Sequence, residues 1–465
     1  MVRILKRSGG AWLRGLSAVL VLNAAAFSAA CGDDSDGGDG ADGADDGADG
    51  ADDGADDGGT VAMCDADNGS ITLPDGFCAS VFADGLGTAR HLTVTPSGDV
   101  FVALADSFDG STVGEVVALR DTDGDGVADQ EDRFGDAGGN GIAWAGDQLF
   151  FAQDDAILRY DLPDGELLPV AEPEVVVGGL PADGDHVNKT IVLSDSGELM
   201  VNIGSASNSC QEENRLVESP GQEPCPELDV RAGIWTFDAA GTDQVQEDGV
   251  HFAEGLRNMV ALAINPGTGE LFGVQNGRDQ LYDNWPELYA PEDELELPSE
   301  ELFLIDGAAP YGWPYCYHDP FLDEKVLAPE YGGDGVIVDL CADVVAPDYA
   351  FPAHWAPLGM LFYTGDMFPE QYQSGAFVAF HGSRFEPDAT GALPGYNVVF
   401  LPFEGDLPAA GADFEIFADD FAGDARPLPD AAEHRPVALA QGPDGELYIS
   451  DDFGGRIWRV IYTGE

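Results

Sequence analysis

"VALAQGPDGELYISDD" occupies residues 437–452. An apolar run meets a Gly-Pro-Asp-Gly turn, and a second apolar run follows at once. Glycine reverses a chain cheaply because it adopts positive φ, so the stretch reads as a β-hairpin. The same phrase recurs along the chain. "HLTVTPSGDVFVA" begins at His91, "GIAWAGDQLFFAQ" at Gly141, "TIVLSDSGELMVNIG" at Thr190 and "ALAINPGTGELFGVQ" at Ala261. A looser copy, "LGMLFYTGDMFPEQYQSGAFVAFHG", begins at Leu358. Most copies are followed by one more strand: "GEVVALRD", "AILRYDL", "AGIWTFDA", "ELFLID", "YNVVFLPF" and "RIWRVIY". A hairpin with outer strands is the content of a propeller blade. Six copies therefore predict an all-β fold, a six-bladed β-propeller.

The copies lie close together at first and further apart later, so the later blades carry insertions. Helical periodicity is scarce; "DNWPELYAPEDELE" predicts a short helical turn. The early strand "GFCASVFA" is expected to complete the last blade and close the ring. A sandwich or a pair of β domains would call for a linker, and none separates the hairpins.

The ends of the chain read differently. Arg3, Lys6, Arg7 and Arg14 precede the apolar run "LSAVLVLNAAAFSAA", which ends at Cys31. A basic region, a short apolar region and small residues describe a secretion signal over residues 1–30. "SAAC" resembles the lipobox of bacterial lipoproteins, which implies a lipid anchor at Cys31. Gly32 after it favours the outer membrane. Residues 31–60 repeat "GADGADDGADGADDGADD", with no apolar side chain larger than alanine. Such a segment cannot offset the entropy of ordering and reads as a disordered acidic tether. The propeller is expected over residues 61–465. The other six cysteines fall in near pairs, Cys64 with Cys78, Cys210 with Cys225 and Cys316 with Cys341. Neighbour pairing is the simplest of several connectivities, and disulfides persist in exported chains.

With 19 Lys and Arg against 87 Asp and Glu, the formal charge is −68. That balance excludes nucleic acid and anionic membrane surfaces as partners. One acidic stretch has a metal-loop pattern. "DTDGDGVADQED", residues 121–132, places Asp121, Asp123, Asp125, Asp129 and Asp132 around Gly126. Oxygen ligands at every second place with a glycine at the bend suit a structural Ca2+, with Val127 giving its carbonyl. An acidic turn between strands is the alternative.

The scarce cations and amides cluster at one place in the repeat, just before or after the inner hairpins. Asn140 precedes the second copy, and His186 precedes the third. Arg257 and Asn258 precede the fourth, and "QNGRD" from Gln275 to Asp279 follows it. Arg384 follows the fifth, and Arg435 precedes the sixth. A closed ring would bring these groups to one mouth.

Taken in order, "LPDGFCASVFADGL", "HVNKTIVLSDSGELMVNIGS", "GLRNMVALAINPGTGELF", "PYGWPYCY", "GAFVAFHGS" and "RPVALAQGPDGELYISDD" resemble a known family. It is that of the pyrroloquinoline quinone (PQQ)-dependent sugar dehydrogenases, the soluble glucose dehydrogenase and sorbosone dehydrogenase group. The resemblance runs from about residue 73 to the end and implies a six-bladed propeller holding PQQ, a tricarboxylate quinone, with Ca2+. It implies that His186 is the general base and that Arg257 stabilises charge on the quinone oxygen. Asn140, Asn258, Gln275, Asn276, Gly277, Arg384 and Arg435 would surround the cofactor, with carbonyls of Asn276 and Gly277 facing a second calcium. The implied substrate is an aldose or aldehyde sugar, and the implied electron acceptor a cytochrome or quinone. Three positions depart from the family pattern. Arg384 stands near a usual lysine, Glu433 replaces a second arginine, and Asn-Gly replaces Gly-Pro in the metal loop. These departures argue against glucose itself. A calcium-dependent propeller lactonase and a non-catalytic sugar- or protein-binding propeller are the rival readings.

Overall fold

The computed structural model describes residues 64–464 apart from 108–109, 308, 385–394 and 424–430. The leader, Cys31 and the tether lie outside the described residues.

Six antiparallel sheets, each of at least four strands, follow the order of the hairpins. The first blade comprises Ala89–Val94, Val100–Leu104, Val116–Arg120 and Gln130–Phe134. The second begins at Gly139–Ala145, the third at Ile191–Leu193, the fourth at Ala261–Ile264, the fifth at Pro357–Phe362 and the sixth at Pro436–Gln441. Second strands such as Val100–Leu104 and Gly375–Phe380 are buried along their whole length. Neighbouring blades cover both of their faces, which is why these strands run apolar rather than alternating. Each seam between blades has its own apolar cluster. Phe101, Phe151 and Tyr160 fill the first, and Phe272, Phe362 and Phe403 the fourth.

The ring closes as the sequence suggests. Phe77–Ala83 pairs antiparallel with Ile457–Tyr462 and becomes the outer strand of the sixth blade. Phe77 lies edge-on to Phe368, Phe417 and Tyr372, at 4.8, 5.0 and 5.4 Å. On the inner side, the Ser450 hydroxyl donates to the Arg90 carbonyl at 2.6 Å and joins the last blade to the first. The disulfides are Cys64–Cys78, Cys210–Cys225 and Cys316–Cys341, the neighbour pairing.

The insertions lie in blades three and four. The region read as one helical turn forms two short helices, Leu281–Asn284 and Pro291–Glu296. Pro291 starts the second, where a missing N–H is no loss. A two-stranded hairpin, Cys316–Asp319 with Glu324–Leu327, follows in the same blade.

Candidate functional site

Among the described residues, one cavity lies on the propeller's inner strands and another lies just before their first residues. The larger, about 500 Å³, is walled by apolar side chains such as Leu92, Ile142, Ile191 and Leu262. The smaller, about 220 Å³, is where the polar groups meet. His186, Arg257, Asn258, Asn276, Gly277, Arg384 and Arg435 all line it. Residues from blades three to six thus converge on one volume.

His186 sits in an irregular segment that the fold pins from several directions. The Lys189 ammonium donates to the carbonyls of Pro181, at 2.8 Å, and Val187. The Asp185 N–H donates to the Ala206 carbonyl at 2.9 Å. Gly184 has φ +95°, and a Cβ there would lie 2.6 Å from Ala206. The His186 Nδ1 is 2.9 Å from the Ser205 carbonyl and 3.0 Å from its hydroxyl oxygen. A carbonyl can only accept, so Nδ1 carries the proton and Nε2 keeps its lone pair. Burial, and then the charge of Arg257, hold the imidazole pKa down at about 3. His186 is therefore a neutral base whose Nε2 has no hydrogen-bond partner among the described residues.

Arg257 is buried, yet its fixed partners are neutral. Its guanidinium donates to the carbonyl and side-chain oxygens of Asn208, both at 3.0 Å, and to the Asn276 carbonyl at 3.2 Å. Its nearest carboxylate oxygen, on Asp279, is 4.0 Å away. Burial pushes its pKa down to about 10. Arg435 is held in the same way, by the carbonyls of His381 at 3.0 Å and Gly382 at 2.9 Å. Its guanidinium lies 5.6 Å from the Tyr396 ring centre. Among the described residues no carboxylate lies within 4.0 Å of it.

One carboxylate on the wall serves several cations. Asp279 lies 3.2 Å from Arg215 and 3.6 Å from both His354 and Arg384. Burial works to raise its pKa, but His354, Arg257 and Arg384 hold it well below the usual range. Burial works to lower the His354 pKa, and Asp279 more than offsets it. The other carboxyl on the wall, Glu300, accepts from the N–H groups of Gly277 at 2.6 Å and Ala356 at 3.2 Å. Its burial pushes the pKa up to about 7. The cavity is thus a cationic site in a strongly acidic chain, and its chemistry selects an anion.

The Glu300 shift has a definite sign. Its folded pKa lies above its unfolded value, so its stabilising contribution is full below about pH 4.5 and is lost as pH rises through about 7. Thermal unfolding at pH 5 to 8 should therefore show Glu300→Gln gaining on the wild type as pH rises. A constant difference across that window would contradict the assignment.

Two of the residues expected at the cofactor lie away from this cavity wall. Asn140 is not on the cavity wall. It joins blades, accepting from Arg90 Nε at 2.8 Å and donating to the Thr190 hydroxyl at 3.2 Å and the Lys189 carbonyl at 3.3 Å. Gln275 also lies off this wall; its side-chain oxygen accepts the Arg257 N–H at 2.7 Å. Asn258 is on the wall and accepts from Asn202 at 3.2 Å. The sequence reading passed over Glu300 and His354. His354 precedes the fifth hairpin, at the repeat position that marked Arg257, so that signal was present.

The acidic loop of the first blade is only partly assembled. Asp121, Asp123 and Asp125 bring carboxylate oxygens within 4.8 Å of one another. Asp129 instead accepts from the N–H of Thr122 at 3.1 Å and from its hydroxyl at 2.5 Å. Asp132 belongs to the strand Gln130–Phe134, opposite Ala118, and accepts from Gln130. The strand begins before the twelve-residue pattern ends, and its register takes Asp132 away. Val127 donates its N–H to Asp125 at 2.9 Å. The loop is sewn to the ring-closing strand: Ser80 donates to the Gly126 carbonyl at 2.7 Å, and the Ala128 N–H to the Phe82 carbonyl at 2.8 Å.

A model of the TrAA12-like family matches residues 71–463. An uncharacterized protein of Borreliella burgdorferi is 28% identical over 273 residues, 58% of this chain and 59% of the relative. A pyrroloquinoline quinone-dependent sugar dehydrogenase of Hypocrea jecorina is 26% identical over 299 residues, 60% of this chain and 64% of the relative. The chain thus spans less than two thirds of the length of either curated relative. A solved structure, the holo PQQ domain of pyranose dehydrogenase from Coprinopsis cinerea, matches with TM-score 0.66 and 20% identity. That match covers 84% of this chain and 97% of the other, and it is a likeness of fold.

Proposed function

The chain belongs to the TrAA12-like family, and from that premise we propose that it is an oxidoreductase that oxidises an aldose or aldehyde sugar with pyrroloquinoline quinone. One observation carries the reading. Arg257 and Arg435, whose guanidinium groups are held by neutral oxygens, line one cavity with His186, whose Nδ1 is committed to Ser205. A buried cation without a close carboxylate is costly unless an anion joins it. A tricarboxylate fits that donor set, and Arg384 and Asn258 extend it.

When bound, the quinone supplies a hydride acceptor. His186 takes the proton of the sugar hydroxyl at Nε2, while Ser205 keeps the ring in the required tautomer. Arg257 sits rigidly enough to meet developing negative charge without reorganising. Arg435 and Arg384 bind carboxylates. Backbone carbonyls of the Asn276–Gly277 turn are offered to a second calcium, although the Asn276 carbonyl already accepts from Arg257. The partner that would take up the electrons is an acceptor such as a cytochrome or quinone. Export and lipid anchoring at Cys31, with the outer membrane as destination, remain part of the proposal. Three disulfides are what an oxidising compartment permits. The test is to titrate the purified protein with PQQ and calcium, follow the quinone spectrum, and assay dye reduction with a panel of aldoses. Absence of quinone uptake would sink the reading; hydrolysis of lactones without quinone would favour the calcium-dependent lactonase, and uptake without turnover a binding propeller.

Loop 121–132 is the proposed structural Ca2+ site, now resting on Asp121, Asp123 and Asp125. Because that loop is bonded to the ring-closing strand, calcium there should stabilise the whole ring. Calcium at a hundredfold excess over its Kd would contribute about 2.7 kcal/mol. Without quinone, chelation should lower the melting temperature of the wild type by more than that of an Asp121→Asn, Asp123→Asn double variant. Equal responses in the two proteins would remove the loop from consideration.

A further inference from the structure

We propose that Lys325, remote from any reacting atom, sets the position of Arg257 through Glu301 and Gln275. Lys325 belongs to the inserted hairpin of blade four, which Cys316–Cys341 ties down. Its Nζ lies 2.5 Å from Glu301 Oε1 and donates to the Tyr311 carbonyl at 3.0 Å. The other Glu301 oxygen accepts from Gln275 Nε2 at 2.7 Å, and Gln275 Oε1 accepts the Arg257 N–H at 2.7 Å. All four residues are buried: Lys325 is 3% exposed, Glu301 2%, Gln275 4% and Arg257 3%.

The chain has a direction. A carboxylate only accepts, so ionised Glu301 forces the NH2 end of the Gln275 amide toward itself. The amide oxygen must then face Arg257, where it receives the N–H. Among the described residues Glu301 Oε1 has no hydrogen-bond partner besides its ionic contact with Lys325. Without the ammonium, Glu301 Oε1 is a buried carboxylate oxygen with no partner, and the carboxylate is free to turn away from Gln275 toward one. Gln275 then loses the acceptor that fixes its amide, the amide is free to turn over, and its NH2 end would confront the Arg257 N–H. The insertion thereby reaches the cationic site without touching it. Lys325, Glu301 and Gln275 are positioning residues. Only the consequence for cofactor binding rests on the function proposed above.

The test uses the full-length protein without ligand and reads hydrogen exchange by mass spectrometry. In Lys325→Met, the peptide carrying the Arg257 amide should exchange about tenfold faster, the effect of losing one buried hydrogen bond. Peptides from blades one and two should keep their wild-type rates. No change at Arg257, or the same acceleration in every blade, would overturn the proposal. Should Lys325→Met not fold, the double variant Lys325→Met, Glu301→Gln has no unpaired buried charge and takes its place under the same criteria. PQQ titration adds a second reading. Lys325→Met should weaken uptake about tenfold in the wild-type background and leave it unchanged in an Arg257→Gln background. Equal losses in both backgrounds would also overturn the proposal. A wild type that takes up no PQQ would refute the sugar-oxidising function, while the exchange result still decides the role of Lys325.

Discussion

Replacing His186 with alanine is expected to lower turnover of the best sugar about 10²–10⁴-fold, the usual contribution of a positioned general base, with the quinone still bound. The reason is geometric. Nδ1 is committed to Ser205, which leaves Nε2 as the nitrogen able to take a proton in a residue that lines the cavity. His186→Asn should fare no better, because an amide can imitate the bond to Ser205 but cannot take a proton. Quinone uptake measured by absorbance separates loss of chemistry from loss of binding. Turnover within a fewfold of wild type in either variant would show that another group removes the proton.

The second large effect is expected at Arg257. Arg257→Gln keeps a polar side chain beside Asn208 and removes the charge. Hydrogen bonds to charged groups contribute about 1.5–3 kcal/mol, so PQQ affinity should fall roughly 10- to 150-fold. The ligand-free variant should keep most of its stability, because the glutamine amide can still donate to Asn208 and Asp279 retains Arg215, His354 and Arg384. Loss of affinity with stability kept is the signature of a group placed for its ligand. Arg133→Gln is the control: Arg133 lies between Glu115 and Glu131 on the outer strand of the first blade, and its loss should leave binding alone. Equal affinities for Arg257→Gln and wild type would exclude Arg257 from the anion site.

Much of the fold is legible in the sequence because hairpins announce themselves locally. A glycine turn between two apolar runs says where a blade begins, and "GFCASVFA" lacks a partner until the ring supplies one. The convergence of His186, Arg257 and Arg435 is legible for the same reason, since their places in the repeat fix their places in space. Roles set by neighbours are harder to read. Asn140 has the right place in the repeat, but Arg90 and Thr190 from adjoining blades occupy its amide. Asp132 has the right count, but strand pairing takes it. Glu300 starts a third strand like many other residues. Only the burial imposed by blades four and five makes its carboxyl unusual.

The pairing of Phe77–Ala83 with Ile457–Tyr462 also dictates an order of events. The strand synthesised near the start has no partner until the one synthesised last arrives. Closure is therefore the most non-local step in folding and is expected to be slow. A nascent chain stopped short of Ile457 would leave two sheet edges bare at once, open to other strands.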